Sequence, residues 1–67
     1  MKTLSWTDVY EIAIALEEIH PEVNILEIRF TDLWQWVQDV PGFEDEPNRC
    51  NEKILEAIQM AWLDERD

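Results

Sequence analysis

The stretch Thr31-Asp32-Leu33-Trp34-Gln35-Trp36-Val37-Gln38-Asp39-Val40, preceded by Ile28-Arg29-Phe30 and followed by Pro41-Gly42, decides the fold. Thr31 and Asp32 are both good helix caps and stand directly before an apolar-rich run. The spacing therefore predicts a helix that buries Leu33, Trp36, Val37 and Val40. Pro41-Gly42 stops it. Successive helical positions turn by about 100°, so the rings of Trp34 and Trp36 cannot share one face. Trp36 is assigned to the core. Trp34 is the more exposed ring, partly buried on the plainer account and a partner contact on the functional one. The run Glu22 to Phe30, apolar at Val23, Ile25, Leu26, Ile28 and Phe30, is too short to choose between a helical turn and a strand by period alone, and Ile28-Arg29-Phe30 is read as a short extended piece.

Working outward, Thr7 and Asp8 cap a first helix, with Glu11 in the capping-box position three residues after Asp8. Val9, Ile12, Ala13, Leu16 and Ile19 recur on one of its faces, and His20-Pro21 ends it. Downstream, Phe43-Glu44-Asp45-Glu46-Pro47 is an acidic loop. After it, Asn48 or Asn51 caps a last helix with the stripe Ile54, Leu55, Ile58, Ala61 and Trp62. The expected fold is mainly α, one domain over residues 1–67, with three main helices around one core. A short extended piece followed by a tight helix-turn-helix pair is the layout of a small, modified winged-helix domain, although no two-stranded wing is legible after the third helix.

The chain has 67 residues, four of them tryptophan, and a single cysteine, Cys50. No intramolecular disulfide is possible and no paired Cys/His spacing suggests structural zinc, so packing must stabilise the fold. The N-terminal stretch lacks an apolar signal-peptide core and no run reaches membrane-spanning length, which leads us to expect a cytoplasmic protein away from membranes. Sixteen acidic residues against five Lys and Arg give a net charge of −11. Such a surface repels phosphate backbones and anionic lipid, and attracts basic proteins or cations.

Four segments carry a family resemblance: Trp6-Thr7-Asp8; Ile28-Arg29-Phe30-Thr31-Asp32-Leu33 with Gln35-Trp36-Val37; Asn51-Glu52-Lys53-Ile54-Leu55-Glu56-Ala57-Ile58; and Trp62-Leu63-Asp64-Glu65. In these residues, in length, in acidity and in motif order, the chain resembles the IscX family over essentially its whole length. The resemblance implies a modified winged-helix fold, weak Fe(II) binding by surface carboxylates with no tightly bound cofactor, and binding to the cysteine desulfurase of iron–sulfur cluster assembly. It further implies a desulfurase surface overlapping the one used by bacterial frataxin, hence competition between the two. Members are regarded as regulators of sulfur delivery or as iron donors, and neither role is enzymatic. Two positions depart from the pattern. A histidine commonly stands where this chain has Trp34, and a serine where it has Cys50. Any iron site near the second helix then lacks a nitrogen ligand and is carboxylate only.

Three acidic clusters are candidates for metal. The first is Asp8, Glu11 and Glu18 along the first helix, where Glu17 also lies near the end that Glu22 follows. The second is Glu44, Asp45 and Glu46 in the loop, whose like charges repel unless a cation or a basic partner comes between them. The third is Asp64 and Glu65, with Asp67 beyond them, where negative charge opposes the helix dipole. The plainer account of each cluster is a solvated face. For a partner, Glu11, Glu18, Trp34, Glu44, Asp45 and Glu46 are the expected contacts. A monomer is expected.

Other residues read as structural. His20 sits at a helix end, Arg29 is placed to pair with Asp32 or a carboxylate of the first helix, and Cys50 is a packing thiol with no histidine near it in sequence. No Ser-His-Asp set, phosphate loop or dinucleotide fingerprint is present, so no enzyme is expected. A nucleic-acid-binding winged helix, the remaining alternative to regulator and iron donor, would need a basic recognition helix. The second helix carries Asp32 and Asp39 and no Lys or Arg.

Overall fold

The computed structural model describes residues 3–67, which hold three α-helices and no β-strand. The helices are α1 (Val9–Ile19), α2 (Phe30–Gln38) and α3 (Glu52–Arg66). One-turn 3-10 segments at Ile25–Glu27 and Pro47–Arg49 lie in the two connections. None of the helices is long and apolar enough to cross a membrane.

The expected stripes form the core. Ile12, Ala13 and Leu16 of α1, Leu33 and Val37 of α2, and Leu55, Ile58, Ala61 and Trp62 of α3 are buried, joined by Trp6, Ile25 and Val40. α1 and α3 form the principal packed pair, and Val9 and Ile54, at the edges of their stripes, are half-buried. Ile19, expected on the buried face, stands 48% exposed. Trp62 and Arg66 reach the last turn of α1 through Glu17 and His20, and Ile19 lies outside that contact.

α2 begins before its expected caps. Ile28 and Arg29 are extended, as anticipated, but they join no strand, and Phe30 is already the first helical residue. Phe30 is half-buried against the core, so packing draws the helix start back to it. Thr31 and Asp32 therefore lie inside the first turn, where Asp32 favours the helix dipole without serving as cap. Gly42, at φ 87°, supplies the left-handed turn after α2. Asn51, not Asn48, caps α3, its side-chain oxygen accepting from Ile54 N at 2.9 Å.

The tryptophans are distributed differently from expectation. Trp6 and Trp62 are the fully buried pair, and both Trp34 and Trp36 are half-buried. Trp36 is held at the rim because His20 stacks on it at 4.3 Å, while its ring meets Trp62 edge-on at 6.4 Å. His20 is thus structural, as read from the sequence, but through ring stacking rather than only through its place at the helix end.

Candidate functional site

The acidic loop is stitched to the segment before α1. Leu4 N donates to Gly42 O at 2.8 Å and Glu44 N to Leu4 O at 2.9 Å, around an isolated parallel bridge between Leu4 and Phe43. Trp6 lies under the loop. Its ring meets Phe43 edge-on at 4.8 Å, and its indole Nε1 donates to Glu46 O at 2.7 Å. At the next carbonyl, Trp34 Nε1 donates to Pro47 O at 3.1 Å. A loop rich in like charge is thus fixed by two indole N–H groups and a backbone pairing.

The three loop acids do not act alike. Asp45 turns inward: Oδ2 accepts from Trp6 N at 3.1 Å, Oδ1 accepts from Glu46 N at 2.7 Å, and Arg49 pairs with it at 3.5 Å. The hydrogen bonds from the Trp6 and Glu46 backbones hold its carboxyl below the usual aspartate range. Asp45 therefore organises the loop, and Glu44 and Glu46 are the acids it exposes.

The remaining predicted residues fall into separate places. Asp8 is the N-cap residue of α1, but its side chain does not cap the helix; Oδ2 accepts from Ser5 N at 2.9 Å and Ser5 Oγ at 3.3 Å. Since Ser5 adjoins Trp6, Asp8 stands beside the segment that carries the loop. Glu11 and Glu18 are exposed seven residues apart on α1, about 10 Å along its axis. Asp64 lines a cleft with Thr7 and Tyr10, and so belongs with the start of α1 rather than with Glu65 as a terminal cluster. Among the described residues, no three His, Cys, Asp or Glu side chains converge closely enough to hold a metal ion. Arg29 makes neither ion pair expected of it among those residues.

Glu17 is a structural acid that sequence reasoning left among the surface charges. Arg66 donates to it through Nε at 3.0 Å and through a terminal nitrogen at 2.8 Å, and Trp62 Nε1 adds a bond at 3.3 Å. Arg66 also donates to His20 O at 3.0 Å and to Val23 O, clamping α3 onto the end of α1. The Arg66 hydrogen bonds hold the Glu17 carboxyl below the usual glutamate range. The unfolded chain therefore binds that proton more readily than the native one. The stabilisation is fully present above the ordinary carboxylate pKa of about 4 and is lost as pH falls through the lowered native value. Urea titrations between about pH 7 and pH 3 should give Glu17→Gln a lower midpoint than the wild type at neutral pH, with the two converging in acid. A gap that stays constant with pH would remove this role.

Cys50 is half-buried against the core, and burial pushes its thiol pKa up, which suits a packing residue rather than a nucleophile. The α3 cap is intact because Asn51 supplies it.

The family model described as iron-sulphur cluster assembly matches residues 4–67. An uncharacterized protein of Pseudomonas aeruginosa is 55% identical over 65 residues, covering 97% of this chain and 98% of the relative.

Proposed function

We propose that this chain, which belongs to the IscX family of iron–sulfur cluster assembly proteins, is a non-catalytic accessory protein that docks on the cysteine desulfurase and regulates sulfur delivery. The observation that carries the reading is the fixed acidic loop, in which one carboxylate, Asp45, is committed to the fold and Glu44 and Glu46 are left exposed. A loop already ordered loses little conformational freedom on binding. With a net charge of −11 behind it, it would be steered to a basic desulfurase surface and would compete there with other acidic partners such as frataxin. Glu11 and Glu18 extend the contact along α1, and Trp34 lies beneath the loop's far end.

In this reading Fe(II) is cargo, held weakly. The donors are carboxylates on an open surface, Glu44 and Glu46 first, with Asp8, Glu11, Glu18, Asp64 and Glu65 as further single ligands completed by water. Such sites discriminate poorly among first-row metals. The protein would work as a cytoplasmic monomer, its helix order that of a modified winged helix without a wing and turned away from nucleic acid by its charge.

Isothermal titration into the cognate desulfurase at low and physiological salt, with and without Fe(II), tests this. Binding should weaken as the Debye length shortens to about 8 Å. Linkage to iron would appear as a change of affinity when Fe(II) is present. Absence of heat at every salt concentration, together with absence of co-elution, would refute the docking.

A further inference from the structure

α1 and α3 leave an open cleft of ≈ 450 Å³ between the start of α1 and the middle of α3, lined by Thr7, Val9, Tyr10, Ala57, Met60, Ala61 and Asp64. Tyr10 is 74% exposed and Met60 59% exposed, and Ile14, one turn beyond Tyr10, is 44% exposed. Single exposed apolar side chains are ordinary, but Tyr10 and Met60 meet from two helices at one cleft, with Ile14 one turn from Tyr10 on α1. Two rows of side chains spaced four apart pass through its lining residues: Tyr10, Ile14 and Glu18 on α1, and Glu56, Met60 and Asp64 on α3. The α1 row thus ends in a carboxylate, and on α3 Met60 stands between two, of which Asp64 lines the cleft.

We infer that this cleft receives an apolar side chain carried on a basic protein segment, with Tyr10 and Met60 as its anchors and Glu18, Glu56 and Asp64 facing flanking Lys or Arg residues. The inference rests on the docking reading above and adds an apolar anchor to it. The charge selects the occupant. α1 carries three carboxylates and no cation, and α3 carries four against two, one of which, Arg66, is already paired with Glu17. A second copy of a chain at −11, a nucleic acid or an anionic lipid surface would be repelled. Attraction between the charges brings a basic segment close, and burial of apolar area retains it. Thioether and phenol side chains suit that retention, the first by adapting its shape and the second by offering a large rigid surface.

The test uses the full chain and the cognate desulfurase. Tyr10→Ser and Met60→Ser alter exposed side chains, so each variant should fold as the wild type does by circular dichroism. Each should bind at least fivefold more weakly with its salt dependence unchanged, because no charge is removed, and the Met60 methyl resonance of the wild type should shift on titration. If the wild type binds while both variants bind equally well and the methyl does not move, the cleft is overturned and the docking reading stands. If the wild type does not bind at all, both fall. A Met60 shift that follows the concentration of this protein alone would put a second copy in the cleft and overturn the basic-segment assignment.

Discussion

Trp62→Ala is expected to abolish cooperative folding. Trp62 is fully buried, meets Trp36 edge-on, lies under the Arg66 guanidinium at 5.8 Å and donates its indole N–H to Glu17. Truncating a buried tryptophan to alanine costs about 3–5 kcal/mol through lost transfer energy and the cavity left behind. A domain of this length has about 3–10 kcal/mol in total, at roughly 0.05–0.15 kcal/mol per residue. One substitution therefore removes a large part of the margin, up to all of it, and it also leaves the Glu17–Arg66 pair without the indole beneath it. Urea titration followed by far-ultraviolet circular dichroism should show a broad or absent transition, with Trp62→Phe intermediate. An alanine variant that kept the wild-type midpoint would mean that α3 is held mainly by other contacts.

Reversing the two exposed loop acids, Glu44→Lys with Glu46→Lys, is expected to lower affinity for the desulfurase at least tenfold at low salt. Most of the change should lie in the association rate, since exposed charges steer encounter more than they hold the complex. The fold should survive, because the Asp45 bonds to Trp6 N and Glu46 N and the Trp6 bond to Glu46 O involve neither altered side chain. Asp45→Asn provides the contrast. It weakens the acceptor of two backbone N–H groups and should lower stability while changing the exposed charge little. Stopped-flow association rates across a salt series, beside urea midpoints, separate the two kinds of acid. Unchanged association by the double lysine variant would move the contact surface away from the loop.

The contrast between Asp45 and its neighbours also marks where the sequence stops being legible. The stripes of α1 and α3 could be read because a helix repeats its buried positions every three or four residues, and Leu33 and Val37 followed from the same rule. The start of α2 could not, because the half-buried Phe30 draws it back from the local caps. Within the candidate site, the sign of the loop was evident from composition. The separate role of Asp45 depends on Trp6, 39 residues away, and that of Glu17 on Arg66, 49 residues away. No local pattern encodes such pairings. The same distance hid the α1–α3 cleft, since Tyr10 and Met60 each look like an incidental exposed side chain until the helices pack.

The Trp34–Pro47 hydrogen bond gives the molecule an optical readout of its own loop. Trp6 and Trp62 are sealed in the interior and would respond to unfolding, and Trp36 is shielded by the imidazole of His20. Trp34 and Trp6 have their indole N–H groups fastened to neighbouring loop carbonyls, those of Pro47 and Glu46, and Trp34 is the less buried of the two. The emission of Trp34 should therefore register a partner or a cation settling on Glu44 and Glu46 while Trp62, bonded to Glu17 at the end of α1, stays constant. With Trp62 serving as an internal reference, occupancy of the loop can be followed in unlabelled protein as a difference in colour rather than in mass.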